Sequence, residues 1–293
     1  MILALDVGGT FAKLGLVTDE GEVLCRSQVP VDFDGYATPV FDTAVCAIRR
    51  FLSDTGAAPE GIAVCATGQI DSCTGIITDG NDLIRNYVGT PVRDMMAGAF
   101  HLPVSAINDA NAAALGECWT GAGKGVQDVI MVTLGTGVGG GIVSGGRLLE
   151  GALGGAGEIG LMPFYGAPFE ERASTLALVL EAQKASGLSG LSGREVFERA
   201  QNGEQVFLDV LDRWIGRIAE GLTGLVYIFN PALILIGGGV SAQQKLLIEP
   251  LRSRLHALVR PGFLQGLALK AAKLGNDAGM VGAVRYFLTQ RQK

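Results

Sequence analysis

A glycine-rich strand, turn and strand occurs twice in this 293-residue chain, and that duplication restricts the fold more than any other feature. Residues 2–24 read ILALDVGGTFAKLGLVTDEGEVL, and residues 129–149 read VIMVTLGTGVGGGIVSGGRLL. In both copies an apolar run enters a Gly/Thr turn and leaves as a second apolar strand. Each then folds back at a polar turn, Asp19-Glu20-Gly21 or Ser144-Gly145-Gly146. Such turns expose backbone N–H groups with no side chain in the way, and concave runs of N–H groups bind anions. Two of them can hold one polyphosphate from two sides. The repeat implies two domains, and the chain is long enough to give each its own core.

Composition narrows the chemistry. Only 18% of residues are charged, the net charge is −6, and the basic residues are scattered, so neither nucleic acid nor an anionic membrane is an expected partner. A small-molecule substrate is expected instead. The five cysteines, Cys25, Cys46, Cys65, Cys73 and Cys118, form no CxxC and have no His-rich neighbourhood. They read as buried thiols in a reducing compartment. Asp6 interrupts the first apolar run and no basic segment precedes it, so this stretch does not read as a signal peptide. The stretch Leu222 to Val240 is uncharged and about as long as a bilayer span. Asn230-Pro231 and Gly237 to Gly239 divide it, so it reads as a helix end, a buried strand and a glycine turn. A cytoplasmic location is expected.

The periodicities predict a third strand over Cys25 to Val31, a helix over Asp42 to Leu52 and a strand over Gly61 to Ala66 that ends at Gly68. A helix follows Pro91, and another begins at Asp109 in DANAAALGECW. Further helices are expected from about Glu170, over Arg194 to Asn202, Val206 to Phe229 and Leu246 to Leu258, with a strand over Asn230 to Leu235. One more strand and a helix from about Ala278 close the chain.

Three glycine runs occur in order: DVGGT with Lys13 three residues on, LGTGVGGG, and LILIGGGVS at Leu233 to Ser241. That order resembles the actin-like ATPase superfamily, whose two related domains clamp ATP between them. INDANAAALGE at Ile107 to Glu117, followed by VTLGTGVGGGI and by Ala156-Gly157-Glu158-Ile159-Gly160, resembles the ROK family of bacterial sugar kinases and regulators. The resemblance covers nearly the whole chain. It implies duplicated actin-like (ribonuclease H-like) α/β domains with a cleft between them. Residues 1–107, completed by a C-terminal helix over 278–293, would form one domain, and residues 108–277 the other. It also implies transfer of the ATP γ-phosphoryl group to the primary hydroxyl of a hexose or β-glucoside, with N-acetylmannosamine and glucose as alternatives. A homodimer is expected.

The same resemblance assigns the site residues. Asp109 matches the catalytic aspartate, a general base for a poorly nucleophilic sugar hydroxyl; an ordinary helix N-cap is the plain alternative. The ATP set is Asp6, Gly8, Gly9, Thr10 and Lys13 at the first turn, Gly135, Thr136, Gly137 and Gly139 at the second, and Gly237, Gly238 and Gly239 at the third. A carboxylate beside phosphates is unfavourable without a cation, so Asp6 is expected to hold Mg²⁺ through water. Thr10 and Thr136 offer hydroxyls to phosphate oxygens, and Lys13 either adds charge there or extends to solvent. Glu158 and Glu170 resemble the family's two sugar-binding glutamates, each able to accept from vicinal hydroxyls. Glu171 competes with Glu170, and Glu170 at a helix start also suits the dipole. Gly68 and Asn108 join the substrate set. Either Asn81 or Asn86 can add an amide, although both are also common turn residues.

The chain departs from the family where many members carry ExGH. Here the motif is Glu158-Ile159-Gly160-Leu161, and no cysteine lies between Met162 and Phe169, where a zinc cluster would sit. The two histidines, His101 and His256, are far away in sequence, so no zinc site is expected. Met162, Pro163, Phe164, Tyr165 and Phe169 are the candidates for holding this loop by packing. A sugar-responsive regulator is the reading from another class. Those proteins carry a DNA-binding domain ahead of DxGGT, whereas this sequence reaches Asp6 almost at once. A sugar-binding relative that has lost catalysis is the third reading, against which stand Asp109 and all three glycine runs.

Overall fold

The first glycine turn joins β1 (Ile2–Val7) to β2 (Phe11–Val17), which pair antiparallel with Asp6 opposite Lys13, in a computed structural model that describes residues 1–80 and 84–291. Strand β3 (Val23–Pro30) extends the hairpin, while β4 (Ile62–Ala66) and β7 (Val104–Asn108) add parallel on the other side, giving the order β3-β2-β1-β4-β7. Every residue of β1 and β4 is buried, as expected of central strands covered on both faces. Helices α1 (Val40–Thr55) and α2 (Val92–Phe100) and the small hairpin β5 (Gln69–Asp71) and β6 (Ile76–Asp79) complete that part of the chain.

The second glycine turn joins β8 (Val129–Leu134) to β9 (Val138–Ser144), and the sheet order β10-β9-β8-β13-β14 repeats the plan of the first. Here β10 is Arg147–Leu148, β13 is Leu233–Gly237 and β14 is Ala268–Ala271, with β13 parallel to both β8 and β14. The duplication read from the two hairpins thus extends to a duplicated five-stranded sheet, and the fold is mixed α/β. Helix α7 (Gln205–Phe229) lies in the core of this sheet's unit, and its Trp214 indole N–H donates to the carbonyls of Ala173 and Ser174, both at 3.0 Å. Asn230 ends α7 in the left-handed conformation before Pro231. The uncharged stretch is therefore divided as expected, and among the described residues no helix is long and apolar enough to cross a membrane.

Two compact units result: Met1–Lys124 with Leu148–Ala156 and Asn276–Lys293, and Gly125–Arg147 with Gly157–Gly275. The boundary differs from the division at 107/108, because α3 (Asp109–Trp119) packs on the C-terminal helix α10 (Ala278–Arg291). A Cβ on Gly282 would stand 1.6 Å from the Ala112 carbonyl oxygen, and one on Gly116 would stand 2.5 Å from that of Ala278. Only glycines permit so close a helix crossing, so α3 belongs with the first sheet, whose edge strand β7 it follows directly.

Other boundaries shift for local reasons. The helix expected from Glu170 is two, α4 (Glu170–Ala173) and α5 (Thr175–Ser186), because Ser174 leaves helical geometry and caps α5 by accepting from Ala177 N–H. The strand expected from Asn230 begins at Leu233, since Asn230 and Pro231 are spent on ending α7. Helix α6 (Gly193–Gln201) precedes α7, a π turn over Gln244–Ile248 precedes α8 (Glu249–Leu258), and a short α9 (Pro261–Leu264) follows. The reading of all five cysteines as buried is corrected: Cys65 is buried, but Cys46 and Cys73 are exposed, on the outer side of α1 and in the β5–β6 turn, and Cys25 and Cys118 are half-buried.

Candidate active site

In the first unit the sheet lines up three polar side chains. Asp6 pairs in register with Lys13 of β2 and with Cys65 of β4, so the three share one face of the sheet. Lys13 Nζ donates to Asp6 Oδ2 at 3.1 Å, and Asp6 is only 8% exposed. Burial pulls the Lys13 ammonium down, but the adjacent Asp6 carboxylate outweighs it and holds Lys13 above the ordinary lysine value. Lys13 thus extends neither into bulk solvent nor alone into the turn; it is paired. Burial, reinforced by the charges of Asp6 and Asp109, keeps the Cys65 thiol protonated far above its usual value. The first turn itself is fixed from behind, where the Gly9 carbonyl accepts from Tyr36 hydroxyl at 2.6 Å and that of Thr10 from Val31 N–H. The Thr10 side chain is left exposed.

Asn108, not Asp109, caps α3: its Oδ1 accepts from Asn111 N–H at 2.9 Å. Its Nδ2 donates to the Gly68 carbonyl at 3.0 Å and to Asp109 Oδ1 at 3.2 Å. Asp109 Oδ1 also accepts from Ala110 N–H at 2.7 Å, so the half-buried carboxylate has a set orientation at the helix start. Gly68 has φ of +86°, and a Cβ there would meet the Asp79 carbonyl at 2.5 Å, so the strand-end glycine is required. Tyr87, not singled out in the sequence, is buried beside this group; it donates to the Thr67 carbonyl at 2.8 Å and stacks on Phe41. Its phenol is pushed well up by burial first and then by Asp109, Cys65 and Asp6, which places it in the same electrostatic neighbourhood. The sequence marks Cys65 only as one of five thiols, because the strand register that aligns it with Asp6 is not visible in the chain. Asn86 is exposed at φ of +54° and its carbonyl accepts from Thr90 hydroxyl, so it serves the turn. Asn81 lies outside the described residues.

In the second unit, the Gly135 carbonyl accepts from Thr175 and Leu176 N–H, and Thr175 hydroxyl donates to the Leu134 carbonyl. These bonds tie the Gly135-Thr136-Gly137 turn to the start of α5. Gly139 lies inside β9, paired with Thr133, rather than in the turn. The third glycine run backs the second: Gly238 has φ of +94°, and a Cβ there would stand 2.1 Å from the Leu134 carbonyl, so Gly237 and Gly238 approach β8 closely, while Gly239 faces open space. Glu170 Oε2 accepts from Val138 N–H at 3.3 Å and lies against Gly137, where a Cβ would come within 2.4 Å of it. Of the two adjacent glutamates, Glu170 is therefore the one turned toward the glycine turn, while Glu171 is exposed. Glu158 precedes a short 3₁₀ turn, Ile159–Leu161, whose glycine Gly160 also lies 3.3 Å, by its Cβ position, from Glu170 Oε2.

The loop that lacks cysteines is a hairpin, β11 (Pro163–Phe164) against β12 (Ala167–Pro168). Phe169 is fully buried, meets Phe164 edge-on at 5.2 Å, and donates its N–H to the Met162 carbonyl at 2.9 Å. Met162, Phe164 and Phe169 thus hold the loop, whereas Tyr165 is 74% exposed, with an edge contact to Phe164 and a hydrogen bond to Glu220 that raises its phenol pKa.

The ROK family model matches residues 2–290. The chain belongs to the ROK family. Within it, a glucokinase of Halalkalibacterium halodurans is 34% identical over 307 residues, covering 96% of this chain and 92% of its own. A beta-glucoside kinase of Listeria innocua is 32% identical over 303 residues, covering 100% and 99%. The crystal structure of a ROK family glucokinase from Streptomyces griseus, in complex with glucose and AMPPNP, matches with a TM-score of 0.84 at 30% identity and covers 97% and 98% of the two chains. As a ROK protein with two such sheets, the chain is an ATP-dependent sugar kinase of actin-like fold.

Proposed function

We propose that the protein transfers the γ-phosphoryl group of ATP to the primary 6-hydroxyl of a hexose or β-glucoside, with Asp109 as general base. The observation that carries this reading is the division of labour at α3. Asn108 supplies the cap, and so takes over the structural duty that would otherwise explain an aspartate there. The sugar oxygen forms its bond to phosphorus as its proton passes to the Asp109 carboxylate, and the bond from phosphorus to the bridging oxygen of ADP breaks. Asn108 keeps the carboxylate oriented through Oδ1. Glu158, Glu170 and the Gly68 backbone would bind sugar hydroxyls, and the Gly8 to Thr10 and Gly135 to Gly137 turns would bind phosphates.

The donor set at Asp6 fits Mg²⁺. It is a single buried carboxylate beside a phosphate-binding turn, and among the described residues no three His, Cys, Asp or Glu side chains converge into a protein cage. Magnesium is commonly held by one or two carboxylates, waters and substrate phosphates. Asp6 would hold the ion through water, and the ion when bound neutralises charge on the β- and γ-phosphate oxygens. Lys13, paired with Asp6, keeps that carboxylate's charge partly balanced when nucleotide is absent.

Leu161 supports acceptance of β-glucosides. It replaces a histidine able to bond a hydroxyl near the anomeric end, and it is 56% exposed. An exposed apolar side chain there enforces no free hydroxyl, since discrimination comes from site groups left unpaired by the wrong substrate.

A coupled ADP-release assay over a sugar panel tests these points together. Wild-type turnover with glucose or a β-glucoside is expected, with a β-glucoside used at least as well by kcat/KM. Asp109→Asn should retain sugar and nucleotide binding and lose ~10²-fold or more in kcat. Retained turnover in that variant removes Asp109 from the role of base, and a strong preference for glucose or N-acetylmannosamine overturns the specificity claim alone.

A further inference from the structure

Helix α10 covers the face of the first sheet that carries Lys13, Asp6 and Cys65, and its second residue is Gly279. A Cβ at Gly279 would lie 3.2 Å from Asp6 Oδ2, 3.2 Å from Asp6 Cγ and 3.2 Å from Cys65 Sγ. Contacts that short require a neighbour to move by a few tenths of an ångström. The oxygen concerned, Oδ2, is also the one that accepts from Lys13 Nζ at 3.1 Å. Cys65 is fully buried and paired in register with Asp6, so an added methyl group presses on the thiol and the carboxylate together.

We infer that Gly279 is a positioning residue for phosphoryl transfer, keeping the first turn of α10 thin enough for the Asp6 carboxylate and its Lys13 partner to take their place at the glycine turn. Glycine is not needed here for the backbone. Gly279 does not have a positive φ, so alanine suits its helical conformation and raises helix propensity. The helix would tolerate a methyl group; the space over Asp6 would not. That separates Gly279 from Gly282, where the obstacle is the Ala112 backbone and the constraint is one of packing. The inference rests on the reading of Asp6 as the group that faces Mg²⁺ and the nucleotide phosphates.

The test is Gly279→Ala, with Asp6→Asn in parallel, measured by thermal denaturation and by steady-state kinetics with Mg²⁺·ATP and sugar varied separately. Gly279→Ala should melt at or slightly above the wild-type temperature and keep its KM for sugar. Its kcat/KM for Mg²⁺·ATP should fall roughly three- to tenfold, scaled from the ~10²-fold rate cost of a 1 Å misplacement. Asp6→Asn should lower the same kcat/KM further. A lowered melting temperature with equal losses toward both substrates would make Gly279 a packing residue and overturn the inference. So would a stable Gly279→Ala with wild-type nucleotide kinetics while Asp6→Asn is impaired. If Asp6→Asn itself leaves nucleotide kinetics unchanged, the Asp6 reading fails first and the inference falls with it. Should Gly279→Ala not fold, Gly279→Ser is read in its place, and a folded variant with wild-type nucleotide kinetics overturns the inference equally.

Discussion

Gly282→Ala is expected to damage stability and catalysis together, against the usual preference of helices for alanine. The new Cβ would stand 1.6 Å from the Ala112 carbonyl oxygen, 2.4 Å from its carbon and 2.8 Å from Gly116 N, where ordinary contact begins at 3.4 Å. Every obstacle is backbone, so no rotamer change relieves it, and α3 and α10 must separate by more than an ångström. Alanine in place of glycine in a helix interior contributes ~1 kcal/mol. Overpacking of a close-packed core typically costs ~1–3 kcal/mol and occasionally more. With rigid backbone on one side of the clash the upper end applies, and the net loss is ~2 kcal/mol or more. For a domain of this size that lowers Tm by roughly 4–8 °C. The separation also carries Asp109, the first residue of α3, away from its place, and a 1 Å misplacement costs ~10²-fold in rate. Urea unfolding and kcat measured on the same preparation check both arms. A Gly282→Ala protein with wild-type midpoint and kcat would refute the reading that α10 sets the position of α3 and of the proposed base Asp109.

Asn108→Ala should cost ~1 kcal/mol for the lost cap and also lower kcat, because the bond that orients Asp109 goes with it; denaturant midpoints and turnover read the two effects separately. Phe169→Ala should destabilise the second unit by ~3–5 kcal/mol, since a fully buried ring that supports the cysteine-free loop is replaced by a cavity. A chelator should abolish activity and added Mg²⁺ alone should restore it fully; a requirement for zinc in the recovery would contradict the absence of cysteine and histidine ligands from the loop.

The two hairpins and their glycine turns were legible from the chain because their information is local. Apolar alternation, turn residues and strand length depend on neighbours a few positions away, and the same holds for α1, α2 and α7. The cap at α3 was half legible: a helix start at Asn108-Asp109 follows from residue types, but which of the two caps it depends on side-chain geometry. Strand order and register depend on residues far apart in sequence. No spacing rule announces that Cys65 stands beside Asp6, that Tyr87 lies near Asp109, or that Glu170 rather than Glu171 meets the second glycine turn. The unit boundary was hidden for the same reason. Helix α3 is held in the first unit by the close crossing that Gly116 and Gly282 allow against α10, a helix that begins only at Ala278. A glycine inside a helix reads locally as a weakness, and only the partner backbone lying against it turns it into a requirement.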